Sequence, residues 1–221
     1  MNSRLKSFPL GYTLLLLGLA LFSVSSYAKE WAFDVYLDKS KIGQHVFTLN
    51  DNMLTSKAKF NVKVLFLNAY QYDHQAIEHW QKDCLVNLQS YTVENKVISN
   101  VEGKLTETNF VVDDGKRIQN LPACTMTFAY WNPRILSQSR LLNPQNAEWL
   151  DTKISKVGKD TIEVRGKKTE ATHYRIEGTL DGNPKEAKPK LKIELWYSAE
   201  NEWLALRSTT PDGYIIIYKL R

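Results

Sequence analysis

One short segment of this chain, residues 70–80, carries the side chains best suited to chemistry. Its sequence is Tyr-Gln-Tyr-Asp-His-Gln-Ala-Ile-Glu-His-Trp. Successive side chains of a β-strand point to opposite faces of the sheet. One face of such a strand therefore carries Tyr70, Tyr72, His74, Ala76, Glu78 and Trp80. An ordinary core face would consist of Val, Ile and Leu, so this mixture of aromatic rings, imidazole and carboxylate is a candidate cavity wall.

Three interpretations of this face remain open from the sequence. The polar groups form a structural hydrogen-bond network, they are the few polar groups of a mostly apolar ligand pocket, or His74 is a general base. In the third case a carboxylate such as Glu78 or Asp34 would orient the imidazole. His74 and Glu78 lie ~13 Å apart along a strand that rises ~3.3 Å per residue, so each needs a partner from a neighbouring strand.

Motifs for metal, cofactor or nucleophilic chemistry are missing from the sequence. Zinc hydrolase motifs use helical spacing to bring two histidines together, whereas His74 and His79 point to opposite faces of a strand. The chain has no GxSxG, no glycine-rich phosphate loop and no GxGxxG. We therefore expect no metal, no cofactor and no catalytic residue, and we favour a binding protein over an enzyme. The adjacent pair Trp196 and Tyr197 is a second, weaker candidate for the cavity wall.

The elements around this segment follow the two-residue period of β-strands. Alternation in 31–37, 42–50, 53–66, 69–81, 85–89, 91–98 and 105–112, and again in 191–197, 203–209 and 214–220, predicts some ten antiparallel strands. Gly103 and residues 113–115 punctuate this pattern, and residues 181–189 form a polar loop. Pro133 to Leu142 predicts a short helix. The predicted fold is mainly β: a curved antiparallel sheet or incomplete barrel with one or two short helices.

The two cysteines, Cys84 and Cys124, are a candidate disulfide. An even number of cysteines suits a chain that enters an oxidising compartment. The alternative is two separate buried thiols, because sequence spacing does not decide whether the two Cα atoms lie within bonding range.

The N-terminal residues have the pattern of an export signal. Arg4 and Lys6 precede an apolar run from Leu10 to Val24, and small residues lie at Ser26 and Ala28. We expect cleavage after Ala28, which divides the chain into a signal peptide, 1–28, and one β domain, 29–221. The predicted location is the periplasm or the exterior, with no transmembrane segment after cleavage. Cleavage lowers the formal charge from +5 to +3, and the dispersed lysines do not indicate nucleic-acid binding.

Several motifs together resemble an uncharacterised family of exported bacterial proteins, a domain of unknown function. They are Tyr70-x-Tyr72-x-His74, Glu78-x-Trp80, Trp131-Asn132, Tyr174-Arg175, Trp196-Tyr197 and Asp212-Gly213 with Tyr218 and Leu220. The alternation of long strands also resembles the half-barrel of periplasmic lipoprotein carriers, which implies an apolar ligand or acyl chain in a cleft.

The expected function is therefore the binding or transfer of a hydrophobic or amphipathic, lipid-like molecule in the cell envelope. The main alternative is an envelope protein–protein interaction or assembly module whose sheet edges add a strand from a partner. A hydrolase-like enzyme that uses His74 is the third.

The signal-peptide assignment predicts the N-terminus of the exported protein. N-terminal sequencing and intact mass of the chain recovered from its own cell envelope should show Lys29 as the first residue and a chain of 193 residues. A protein that retains Met1, or the whole apolar run, would contradict the assignment.

Overall fold

A computed structural model of the chain describes residues 28–64, 67–180, 189–210 and 213–221. The predicted signal peptide and the predicted loop at 181–189 therefore lie almost wholly outside the described residues. Within the described ranges, no helix is long and apolar enough to cross a membrane.

The described chain forms a single open antiparallel sheet of fourteen strands. The first eight strands are β1 (Lys29–Leu37), β2 (Ser40–Asn50), β3 (Met53–Val64), β4 (Leu67–Gln81), β5 (Cys84–Glu94), β6 (Val97–Leu105), β7 (Asn109–Asp113) and β8 (Ile118–Pro122). The remaining six are β9 (Arg140–Leu142), β10 (Trp149–Val164), β11 (Lys167–Leu180), β12 (Leu191–Tyr197), β13 (Trp203–Thr209) and β14 (Ile215–Leu220). The mainly β, curved and incompletely closed architecture is thus confirmed.

Tight turns explain why these strands pair with their sequence neighbours. Five hairpins whose turn residues are described leave two residues between paired strand ends, and the first of the two has a positive φ in each: Asp38, Asp51, Lys82, Asn95 and Arg165. Two-residue turns with positive φ match the right-handed twist of antiparallel strands. The strand order is therefore a meander, β8-β7-β6-β5-β4-β3-β2-β1-β14-β13-β12-β11-β10-β9. Within it, β1 and β14, the first and last strands of the chain, pair with each other.

One connection departs from this meander, because β8 and β9 lie at opposite edges of the sheet. Residues 123–139, here called the crossing segment, join the two edges. Leu85 N of β5 donates to Thr125 O at 3.0 Å, and Leu142 N of β9 donates to Met126 O, the next residue of the segment, at 2.9 Å. The crossing segment thus runs between the two halves of the sheet and contacts both.

The crossing segment contains a five-residue 3-10 helix, Pro133–Ser137, in place of the predicted helix over 133–142. Its N-cap, Asn132, accepts a hydrogen bond from Arg134 N, and Pro133 occupies the first turn, where a missing N–H costs little. Leu141 and Leu142 instead pair with β10. Pairing and burial of these two leucines end the helix early.

The disulfide between Cys84 and Cys124 is confirmed, with the two Cα atoms 4.6 Å apart. It joins the start of β5 to the crossing segment. Asn132 Nδ2 also donates to Asp83 Oδ1 at 3.1 Å, next to Cys84. The β4–β5 turn is therefore the main anchor of the crossing segment on this side of the sheet.

The principal core lies between the concave face of the sheet and the crossing segment. It includes fully buried rings from both halves of the sheet, Trp31, Phe33, Trp80, Phe110 and Trp203, together with Met126 and Ile135 of the crossing segment. Because the sheet has a single layer, its apolar face has no second sheet to cover it. The crossing segment supplies that cover.

Two departures from the predicted strand pattern have clear physical causes. Gly103 lies inside β6 rather than at a turn, because a Cβ there would lie 2.6 Å from the Phe110 ring. Periodicity does not predict β10, since all of its residues from 153 to 164 are exposed or half-buried on both faces. A buried face is what gives a strand its alternating pattern.

The outer half of this hairpin bends over the convex face of the sheet. The register shifts between Lys156 and Gly158, and beyond it Ile162 and Val164 pack against a small apolar cluster formed by Ala171, Trp196 and Leu204. This cluster is separate from the principal core.

Removal of the disulfide tests its role as the anchor of the crossing segment. The double variant Cys84→Ala/Cys124→Ala should lose roughly 3 to 4 kcal/mol of unfolding free energy, because a bridge that closes a loop of this length restricts the unfolded chain. Urea denaturation measures the loss, and reduction of the wild-type chain should produce a similar one. An unchanged midpoint would show that the noncovalent contacts alone fix the segment.

Candidate functional site

The predicted face of β4 lies on the concave side of the sheet. Tyr72, His74, Ala76, Glu78 and Trp80 are all buried, whereas the alternate residues are exposed or half-buried. The strand alternation deduced from the sequence therefore holds over this segment. Burial of an imidazole and a carboxyl group on one core face makes this wall unlike the rest of the interior.

A cavity lies against this wall where two small side chains, Ser56 of β3 and Ala76 of β4, pair on neighbouring strands. Both are buried, and the next residue of the row, Ser90 of β5, bonds to the β9–β10 loop and does not line the cavity. Side chains of this size do not reach the crossing segment opposite. The unfilled space measures about 120 Å³.

The lining of the cavity has a buried floor and a partly exposed mouth. His45, His74 and Glu78 are buried at the floor, and Phe47 and Leu54 lie beside them. Tyr130, Trp131 and residues 143–145 are half-buried and form the mouth. The mouth thus combines the crossing segment with the β9–β10 loop, 143–148.

Hydrogen bonds hold the β9–β10 loop against the β5–β8 side of the sheet. Ser90 Oγ donates to Pro144 O, and Gln119 Nε2 donates to Ala147 O at 2.8 Å. Because β9 and β8 are the two sheet edges, these bonds curl the sheet around the cavity without joining the edges as strands.

Two histidines on the floor are fixed by neighbouring hydroxyl groups. His45 Nε2 lies 2.7 Å from Ser56 Oγ, and His45 Nδ1 lies 3.3 Å from the Tyr218 hydroxyl. His74 Nδ1 lies 2.8 Å from Thr92 Oγ1. Burial lowers the pKa of His74 to about 4 and that of His45 well below its ordinary value, with the nearby His74 adding to the effect on His45. Both rings are therefore neutral at pH 7.

The pKa of Glu78 is displaced in the opposite direction. Burial raises its pKa to about 7, although the hydrogen bond that Trp80 Nε1 donates at 3.1 Å and the neighbouring Thr127 hydroxyl act in the other direction. Near neutral pH this carboxyl group thus exchanges between its acid and its carboxylate form. Of the groups on the cavity floor, it is the one that carries charge at pH 7.

The interpretation of His74 as a general base depends on the group that bonds its ring. The hydrogen-bond partner of His74 is Thr92, not a carboxylate that would orient the ring as a general base. Ala76 separates His74 from Glu78 along the strand. Within the part of the chain that the structure describes, no group of three or more His, Cys, Asp or Glu residues is placed to hold a metal ion.

The other residues predicted from the sequence lie outside the cavity. Tyr72 stacks on Phe60 with ring centroids 5.1 Å apart, and Tyr70 donates to Glu94 Oε1 at 3.0 Å. Trp80 donates a hydrogen bond to Glu78 but does not line the cavity. Tyr197 is buried in the core and donates to Tyr130 O at 2.7 Å, which braces the mouth of the cavity from behind.

Trp196 requires a correction, because it lies on the opposite face of the sheet. It stacks on His173, with ring centroids 4.5 Å apart, and donates to Asp160 Oδ2 at 2.8 Å. Adjacent residues of a strand face opposite sides, so Trp196 and Tyr197 do not share one wall. Trp196 instead anchors the bent β10–β11 hairpin.

Sequence reasoning missed His45 and the aromatic side chains of the crossing segment. His45 precedes Phe47 by two residues, so the alternation of β2 placed it on the core face. Phe128 and Tyr130 had no such signal, because the crossing segment has no regular period. Their place over β3 and β4 depends on the connection between the two sheet edges.

Fold and site together define a barrel-like antiparallel β protein with a small mixed-polarity cavity. The chain belongs to the family described as a domain of unknown function, DUF6134, whose family model matches residues 33–221. This confirms the resemblance to an uncharacterised family.

A solved structure has the same architecture. It is the crystal structure of a beta-barrel-like protein of domain of unknown function DUF1849 from Brucella abortus. The TM-score is 0.64 at 15% identity, over 87% of this chain and 95% of that one. At this identity the similarity shows the fold alone. No curated protein matches the sequence.

The two displaced pKa values predict opposite dependences of stability on pH. The pKa of folded His74 lies below its unfolded value of 6.5, so the unfolded chain binds more protons as the pH falls from 6.5 to 4, and stability is lost over that interval. The advantage of wild type over His74→Gln should therefore shrink by roughly 3 kcal/mol between pH 7 and pH 4.

Glu78→Gln is the matched control for this measurement. The pKa of folded Glu78 lies above its unfolded value of 4.5, so its contribution to stability is lost as the pH rises from 4.5 through 7. In urea titrations the advantage of wild type over this variant should grow as the pH falls. Parallel pH profiles for the two variants would contradict the assigned protonation states.

Proposed function

We propose that this protein is an envelope binding protein whose interior cavity holds a small amphipathic molecule, or one end of a larger one. The observation that carries the proposal is the unfilled space beside His74 and Glu78, where the wall offers only the small side chains of Ser56 and Ala76. Protein interiors contain few such voids. The polar groups at the floor would contact the polar part of an amphipathic ligand, and the aromatic rings at the mouth would contact its apolar part.

The volume of the cavity limits the ligand. A cavity of about 120 Å³ is somewhat smaller than the ~150 Å³ engineered cavity that binds benzene, and well below the ~300–1,000 Å³ of pockets for drug-sized molecules. A whole membrane lipid does not fit. A lipid-like ligand would insert one end and leave the remainder at the mouth, between Trp131 and the β9–β10 loop.

Two features support a function of this protein in the cell envelope. The first 28 residues have the pattern of a cleaved export signal, and the bridge between Cys84 and Cys124 is typical of proteins in oxidising compartments. We therefore propose the periplasm as the place where the ligand is bound.

An interaction module is the second candidate, favoured by the β8 edge of the sheet. No described strand pairs with the free side of β8, and Ile118 on this strand is 67% exposed. An open edge of this kind accepts an added strand from a partner. An enzyme that uses His74 has no comparable support, since Thr92 rather than an acid is its partner.

The binding proposal predicts that filling the cavity abolishes ligand retention. Ala76→Leu adds three carbon atoms at the floor, whereas the control Ile77→Leu changes the adjacent, outward-facing residue of the same strand. Native mass spectrometry of the full chain, purified from its own envelope, should show a stoichiometric small molecule on wild type and Ile77→Leu but not on Ala76→Leu. Ala76→Val provides a smaller step if the leucine variant misfolds.

Two outcomes would overturn the proposal. One is wild-type protein that stays empty after incubation with an extract of the same envelope. The other is equal ligand retention by Ala76→Leu, which would place the ligand elsewhere. In either case, crosslinking at the β8 edge would test the interaction module.

A further inference from the structure

The chemical character of the cavity lining narrows the ligand class. Neither lysine nor arginine contributes to the lining. Glu78 is the lining residue that carries a formal charge at neutral pH, and this charge is negative. An anionic ligand would place its charge beside a buried carboxylate with no compensating cation, which is unfavourable in a medium of low dielectric constant.

Aromatic rings face the cavity from two separate elements. On the β2 side, His45 stacks on Phe47 with ring centroids 3.9 Å apart. On the crossing segment, Phe128 and Tyr130 have ring centroids 6.2 Å apart and planes inclined by 47°, and Trp131 follows directly. Both groups line the cavity together with Ser56 and Ala76. Ring faces attract cations that lie within about 6 Å of the centroid.

We propose that the cavity binds an organic ammonium group, with the cationic centre between these aromatic rings and the carboxylate of Glu78. The inference rests on the proposed function of the cavity and names its ligand class. A quaternary or substituted ammonium ion suits the site, because its alkyl groups pack against aromatic walls and it is more weakly hydrated than Lys-type ammonium. Its size also agrees with a cavity of about 120 Å³.

Burial of a cation has a cost that Glu78 offsets. An unpaired charge in an apolar site is strongly unfavourable, whereas a carboxylate in the same site provides a direct counter-charge. Trp80 Nε1 donates a hydrogen bond to Oε2 of this carboxylate at 3.1 Å and so fixes its orientation. No lysine or arginine of the lining competes for the carboxylate. The neutral His45 and His74 add no competing positive charge. The floor is therefore prepared for a cation.

Choline and its uncharged carbon isostere, 3,3-dimethyl-1-butanol, provide the matched test. The two molecules have nearly the same shape, so a difference in affinity reports the charge alone. Isothermal titration calorimetry of the whole mature chain, residues 29–221, at pH 8 should show that choline binds at least tenfold more tightly than the alcohol. Acetate, the anionic probe, should not bind.

Variants locate the effect in the cavity. Glu78→Gln should reduce the preference for choline at least tenfold and leave the weak binding of the alcohol unchanged. Glu102→Gln, which removes an exposed carboxylate on β6, is the matched control and should keep the preference. If Glu78→Gln is poorly folded, Trp131→Leu is the alternative variant, because it removes one aromatic ring at the mouth. It should weaken the binding of choline several-fold more than the binding of the alcohol.

A second arm distinguishes the two sources of such a group. Co-sedimentation with phosphatidylcholine vesicles, compared with phosphatidylglycerol vesicles, would assign the ammonium to a lipid headgroup. Binding of choline without vesicle binding would assign it to a free small molecule.

Failure of this inference and failure of the proposed function give different results. Equal affinity for choline and the alcohol, with both lost in Ala76→Leu, would overturn the ammonium assignment and retain the cavity as a binding site. Binding of choline that survives in Ala76→Leu would place it on the surface and also overturn the assignment. No binding of either probe, together with an empty protein from the envelope, would overturn both.

Discussion

The structure depends on one topological constraint, the connection of two opposite edges of a single open sheet by residues 123–139. Every other link between described strands is a meander connection, so this one alone must traverse the concave face. A single-layer sheet has no other partner for its apolar side, and the crossing segment supplies one through Met126, Phe128 and Ile135. The bridge to Cys124 and the hydrogen bonds with Leu142 hold residues 124–128 of that segment between β5 and β9.

The cavity is a direct consequence of the same arrangement. The crossing segment has irregular backbone and cannot follow the sheet closely at every row of side chains. Where the sheet offers Ser56 and Ala76, the two surfaces separate and space remains. Polar groups at this position are costly to desolvate. The neutral His74 and the readily protonated Glu78 lower that cost.

The sheet and the β4 face were predictable, whereas the site as a whole was not. Alternation in β1 to β4 and in β12 to β14 follows from one buried and one exposed side, and a pattern of period two records this directly. The outer part of β10, residues 153–164, contains no buried residue, so its sequence carries no such pattern. Gly103 was misread as a turn because the sequence does not show the Phe110 ring that needs its space. Trp196 was placed on the wrong side of the sheet for a related reason: aromatic character alone does not reveal which face is interior.

The sequence by itself determined the antiparallel β class, the mixed polar face of β4 and the availability of two cysteines for pairing. These properties depend on residue type and near-neighbour spacing, which the chain carries locally. The tertiary structure alone decided that Cys84 meets Cys124, that His45 joins His74, and that Phe128 and Tyr130 cover Ala76. Those contacts join residues that are far apart in sequence, and they arise only when the crossing segment spans the sheet. Local patterns record the environment of each strand, but not which distant segment will provide that environment.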